Sequence, residues 1–358
     1  MNLAAYVLAA DPTWIRTSVL AYYPHVSRIV VSYDRRGRGW SGQPVPARRC
    51  VAALKRIDRD RKLRFVPGDF AGTHEDLMAA ETAQRQAALD AAAEGADWVL
   101  QIDTDEVLPD TGALLRALAA TGERYVAVSW PMRVLYRQLE RGRFLEVANA
   151  DGSLHVEYPG PVAVRPGTRL DHARWAAGPL LKVPVAAPAE GSAQAPAGLS
   201  AQASAQVTAA SAPAGVAAPV DVAAPAVTID VTAAERVADR GGDRAVATAP
   251  APARAVAPAA PSTPRARPPA PPSGVVATPD QVMWHNSWAR SPSAVRRKVM
   301  SWGHGGPEML EYYERVWLPA AERWAELRDI HPLDPPRWSR LVPAPERPFR
   351  LHRWDRPR

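Results

Sequence analysis

The stretch WVLQIDTDEVLPD, Trp98–Asp110, runs an apolar segment straight into Asp103, Asp105, Glu106 and Asp110. Taken as a strand that ends near Asp103, it points alternate residues the same way and sets Asp103 and Asp105 on one side, roughly 6 to 7 Å apart. Carboxylates that close repel each other unless a positive charge lies between them. What supplies that charge depends on the elements around the stretch.

Outward from it, buried strands and helices alternate. Asn2–Ala10 (NLAAYVLAA) reads as a strand, and Pro12–His25 as a helix with Pro12 near its first turn. Ser27–Asp34 (SRIVVSYD) reads as a second strand, followed by a Gly-rich loop, RRGRGWSGQP, and a helix through Ala47–Ile57. A third strand, Lys62–Phe70, a long helix within His74–Gly95 and a fourth strand, Ala96–Asp103, complete the series. This alternation predicts an α/β fold with a mostly parallel, Rossmann-like sheet flanked by helices, whose ligands gather at the carboxyl ends of the strands. Asp34 and the Asp103 cluster both fall there. Past the cluster, Asp110 is placed to cap a helix beginning TGALLRALAA, and Arg124–Arg137 has strand composition.

Composition sets the frame. The chain has 358 residues, a formal charge of +7 and one cysteine. The positive balance favours anionic ligands without pointing to nucleic acid, and no nucleic-acid partner is expected. A single Cys50 excludes an intramolecular disulfide and a Cys-rich zinc site, and a cytoplasmic location is expected. The N-terminal apolar run has no basic segment before it and soon meets Asp11 and Pro12, which argues against a signal peptide; no apolar run is long enough to span a bilayer. Residues 186–279 contain no aromatic residue, no Met and no Lys. Such a segment buries too little apolar surface to offset its ordering entropy and is expected to be a disordered insertion. The expected organisation is therefore a first ordered part over 1–185, the insertion, completion of the domain over 280–330, and a basic Pro/Arg/Trp tail over 331–358.

Asp103, Thr104 and Asp105, with the helix and strand before them, resemble the DxD motif of glycosyltransferases with the A-type, nucleotide-diphospho-sugar transferase fold, family 2 and its relatives in particular. The resemblance covers roughly the first 135 residues. It implies a nucleotide-sugar donor, UDP- or GDP-linked, with Ala9, Asp11 and Asp34 lining the base and ribose pocket and Arg85 and Gln86 on a helix facing the donor. It also implies Mn²⁺ or Mg²⁺ bridging Asp103 and Asp105 to the diphosphate, with a late histidine as further ligand: His285, where the strand of QVMWHNSWARSP ends, ahead of His304. The acceptor, a saccharide or another hydroxyl compound, would be met by the stretch from Phe144 to Arg165. Asp171 and Glu157 are candidate catalytic bases by position alone. The turn DRRGRGWSG departs from the acidic, Ser/Thr-rich turn usual in the family.

Two other readings fit parts of the sequence. IDTDEV also matches the haloacid-dehalogenase type of phosphohydrolase, with Asp103 as nucleophile and Ser129 closing a second motif; about 100 residues of βα structure ahead of it weigh against this. A noncatalytic nucleotide-sugar binding module is the other. Toward the C-terminus, Pro307–Leu327 is amphipathic and helical, with Leu310, Tyr313, Trp317 and Trp324 available for packing. The final run from Arg337 mixes Arg with Trp and Phe, a composition suited to an acceptor groove or to peripheral contact with an anionic membrane surface.

Overall fold

Apolar runs with no polar face need cover on both sides, and three of the first four strands obtain it, the third lying at the sheet edge with no fully buried residue. The computed structural model describes residues 1–72, 76–139, 143–187, 275–301 and 307–345, all within one unit of the chain. Strands β1 (Leu3–Leu8), β2 (Arg28–Asp34), β3 (Leu63–Gly68) and β4 (Trp98–Leu100) are parallel, in the order β4-β1-β2-β3. Helices α1 (Ile15–Tyr22), α2 (Ala47–Lys55) and α3 (Leu77–Ala92) connect them. All six residues of β1 are buried. One face packs Ala5, Val7, Ile29 and Val31 against Ile15, Val19 and Leu54; the other packs Tyr6 and Val30 against Ala88 and Leu89 of α3. The α/β class with a parallel-rich sheet is as expected from the alternation.

The same sheet continues past β4 through β9 (Ala163–Val164), β6 (Ala127–Ser129) and β12 (Leu180–Lys182), with β9 antiparallel to both its neighbours. Between them in sequence come β5 (Glu106–Val107), α4 (Thr111–Ala120), β7 (Met132–Gln138) and β8 (Phe144–Ala148), and then the hairpin β10 (Leu170–His172) and β11 (Trp175–Ala176). Trp130 and Pro131 break the expected single strand of Arg124–Arg137 into β6 and β7, which enter different sheets.

Two boundaries differ from expectation. Val275 and Ala277 are buried in the main core, Val185 bridges Ala277, and the Ala186 amide donates to the Ala277 carbonyl at 2.8 Å. The fold thus includes the chain up to Ala187 and again from Val275, rather than up to 185 and from 280; residues 188–274, which hold most of the expected insertion, lie outside the described residues. Downstream, β13 (Met283–His285) slots between β7 and β5, and α5 (Pro292–Ser301) follows, where the sequence placed a strand ending at His285 and a helix starting near Pro292. The amphipathic segment forms α6 (Pro307–Tyr312), a π-helical turn at Tyr313–Trp317 and α7 (Ala320–Arg323), with Tyr313 and Trp317 buried. Expected as a tail from 331, the chain instead continues into the fold: Trp338 is buried and β14 (Arg340–Pro343) pairs with β8. Residues 346–358, the remainder of the basic tail, lie outside the described residues. No helix among the described residues is long and apolar enough to cross a membrane.

Candidate active site

Strand β4 ends at Leu100, three residues before Asp103, because the chain turns to meet the rest of the fold. Gln101 is fully buried, with its amide donating to the carbonyls of Pro161 and Arg174 and accepting from Tyr6 Oη. Asp103–Glu106 then forms a turn closed by the Glu106 amide on the Asp103 carbonyl at 3.0 Å. Asp103 and Asp105 are therefore not alternate residues of a strand, and they meet different cations. Arg85 of α3 grips Asp103 through two hydrogen bonds, 2.9 and 3.1 Å, while its Nε donates to Glu81. Arg290 bridges Asp105 and Asp11, 2.8 Å from the latter. Glu106, fully buried, takes both Nη groups of Arg174 at 2.8 and 2.6 Å. Gly160 permits this approach, since a Cβ there would stand 2.7 Å from Arg174 Cγ.

Burial, the largest single influence, would raise the carboxyl of Asp105, but the charges of Arg290, His285 and Lys298 and the Arg290 hydrogen bond together outweigh it and hold the group well below the usual range. Asp103 is held low in the same sense, its desolvation outweighed by Arg85 and Arg174, and Asp11 by Arg290 and the hydrogen bonds of Thr13. The repulsion within the acidic cluster is relieved by three buried guanidinium groups that the sequence reading did not place there as a set.

These groups form the floor of a cavity of about 310 Å³ at the carboxyl ends of β1, β2 and β4. Ala9, Asp11, Asp34, Arg85, Asp103, Asp105 and His285 all line it. Three expected site residues do not. Gln86 faces the hairpin, donating to the Thr168 carbonyl and accepting from the Leu170 amide; its neighbour Gln84 lines the cavity and bonds Trp40 Nε1 and Ser32 Oγ. Asp171 is exposed on β10. Glu157 lies outside the lining, with Oε1 accepting from His155, Arg337 and Trp338; burial would raise its carboxyl, but these partners bring it down to about 2, too acidic for a general base near neutrality. Asp34 lines the cavity yet has its carboxylate occupied by four backbone amides, those of Arg36, Arg38, Phe70 and Ala71. These bonds fix the turn after β2 and the start of the Gly-rich loop.

The remaining walls are apolar on one side and basic on the other. Leu8, Tyr33, Trp40 and Val45 form the first; Arg297 and Lys298 of α5 form the second, with Lys298 Nζ on Ser287 Oγ at 2.6 Å. Burial, and then the Arg290 charge, lower the Lys298 pKa to about 8. His285 stands beside the floor: it is the register partner of Glu106, the Asn286 amide donates to the Asp105 carbonyl, and its Nδ1 is buried with no hydrogen-bond partner among the described residues.

The donor set does not fit a resident divalent cation held by Asp103, Asp105 and His285. Both oxygens of Asp103 are engaged by Arg85, and one oxygen of Asp105 by Arg290. Among the described residues no three His, Cys, Asp or Glu side chains converge as metal ligands. The guanidinium groups stand where the cation's charge would. His304, the next candidate, lies outside the described residues. The phosphohydrolase reading also fails here: Asp103 is locked in a bidentate ion pair rather than presented as a nucleophile, and Ser129 is fully buried.

No protein-family model matches the chain, and no curated protein matches it. Solved structures that resemble parts of it include two transferases and a synthase. Mannose-1-phosphate geranyltransferase from Thermus thermophilus is 15% identical over 41% of this chain and 49% of its own, with a TM-score of 0.23. 4-Diphosphocytidyl-2C-methyl-D-erythritol synthase is 14% identical over 46% and 75%, TM-score 0.27. The galactosyltransferase LgtC, solved with donor and acceptor sugar analogues, is 17% identical over 38% and 47%, TM-score 0.23. The first and third matches span about half of those chains.

Proposed function

We propose that the chain is a glycosyltransferase that takes a nucleoside-diphosphate-linked sugar and passes the sugar to a hydroxyl acceptor. The observation that carries this reading is the cavity itself. At the carboxyl ends of parallel strands it joins an aromatic and apolar wall, sized for a nucleoside, to a rigid polar floor and a basic wall suited to phosphate. The Trp40 ring, fixed by Gln84, offers a face for the base. Negative charge develops on the departing diphosphate, and the cations of the basic wall stabilise it.

His285 takes the acceptor proton in this scheme. The acceptor oxygen bonds to the anomeric carbon, the bond from that carbon to the phosphate oxygen breaks with its electrons leaving on the diphosphate, and the hydroxyl proton passes to the imidazole. His285 replaces Asp171 and Glu157 in the role because it lines the cavity beside Asp105, whereas neither carboxylate does.

Calorimetric titration with UDP, GDP and other nucleoside diphosphates tests the reading. At least one is expected to bind, and Trp40→Ala to weaken it by about tenfold, the equivalent of one lost aromatic contact. Absence of binding by every nucleoside diphosphate would remove the proposal. Once a donor is found, His285→Ala should lower kcat by about a hundredfold or more while leaving donor affinity near that of the parent; an unchanged kcat would take the base role away from His285.

A further inference from the structure

The acidic cluster, resembling a metal-binding motif in sequence, is built as an arginine lattice in the fold. Each of Asp11, Asp103, Asp105 and Glu106 has a guanidinium partner, and each of those arginines is nine-tenths or more buried. A diphosphate entering the cavity needs positive charge beyond these paired groups, and two arginines on its rim supply it. Arg38 and Arg297 line the cavity, are exposed, and form no ion pair among the described residues. They come from opposite walls that close on each other: a Cβ at Gly39, next to Arg38, would lie 3.8 Å from Ser301 Cβ at the end of α5. Lys298 lies beside Arg297 in the same basic wall.

We infer that the diphosphate of the donor is held without a divalent cation, clamped between Arg38 of the Gly-rich loop and Arg297 of α5 above the arginine-locked carboxylates. The inference rests on the reading of the cavity as a site for a nucleoside-diphosphate-linked donor. Guanidinium groups suit the task because their planar donors engage two phosphate oxygens at once and keep their charge at any working pH. The four paired carboxylates then act as an anchor for the buried arginines and not as ligands.

The test is calorimetric binding of UDP and GDP to the full chain in EDTA and again in Mn²⁺, with Arg38→Ala and Arg297→Ala beside the parent. Both substituted positions are exposed, so the variants should fold. Affinity is expected to agree within about twofold between EDTA and Mn²⁺, and each variant to weaken binding about tenfold or more in EDTA, as loss of one charge-assisted contact requires. Binding that vanishes in EDTA and returns with Mn²⁺ would overturn the inference while leaving the proposed function standing. Binding in EDTA that neither substitution weakens would overturn the clamp. If neither nucleotide nor any other nucleoside diphosphate binds under either condition, the donor reading falls and the inference with it.

Discussion

Arg290 makes two ion pairs at once, to Asp11 and to Asp105, from a position 279 and 185 residues away from them. No local spacing announces such a partner, which is why the sequence shows the acidic cluster but not what neutralises it. Breaking a buried pair by removing one member leaves the other charged and desolvated, so Arg290→Met should cost about 3 to 5 kcal/mol in urea unfolding; a loss under about 1 kcal/mol would mean the lattice is not a stabilising unit. Glu157 shows how position misleads in the same way. It looks like a free carboxylate near the acceptor half, yet its hydrogen bonds pull its pKa from 4.5 to about 2. A depressed carboxyl stabilises the folded state in full above about pH 4.5 and loses that contribution as the pH falls toward 2. Glu157→Gln should therefore lower stability at pH 7 and flatten its decline below pH 4.5, measured as midpoint against pH; an unchanged slope would contradict the shift. Gln84 and Gln86 differ by two places on one helix, and which of them faces the cavity depends on how α3 lies on the sheet. The pattern of α3 does not state it, because Ala is common all around that helix.

Elements are more legible than contacts. β1, β2 and β3 and their helices follow from apolar runs and turn residues, and Asp110 caps α4 as expected, its Oδ1 accepting from the Ala113 amide at 3.1 Å. Asp110 Oδ2 also accepts from Gln281 Nε2, which ties α4 to the segment re-entering the fold. Asp110→Ala should thus cost about 1 to 2 kcal/mol, more than the same change at Asp76, whose bond to Met78 is exposed; equal losses at the two caps would show that the Gln281 contact contributes nothing. The start of α1 is less legible. Pro12 suggests its first turn, but Asp11 accepts from the Thr13 amide and delays the helix to Ile15. The end of β4 misleads for a related reason: Gln101 and Ile102 continue the strand's alternation in sequence, while in the fold Gln101 is drawn to Tyr6, Pro161 and Arg174.

At the scale of the whole molecule, the exit at Val185–Ala187 and the return at Val275–Ala277 run side by side. The bridge between Val185 and Ala277 is parallel, so a Gly/Ser linker in place of residues 188–274 crosses back over about four residues' rise, roughly 13 Å, which about ten flexible residues span. Loop closure changes by only about 0.6 kcal/mol for each halving of length, so the thermal midpoint should stay level or rise slightly; a fall of several degrees would show that the removed residues support the fold. What the composition shift cannot show is that Val275 and Ala277, ordinary members of an Ala/Pro/Val run, complete a core begun before it. That adjacency bears on the order in which the protein is made. As the chain leaves the ribosome, Asp11 and Asp105 emerge long before Arg290, and β5 and β7 before the strand that sits between them, so the early portion waits as an unfinished half. Two polypeptides, residues 1–187 and 275–358, expressed together should accordingly find each other and restore the thermal transition, each alone showing no cooperative unfolding.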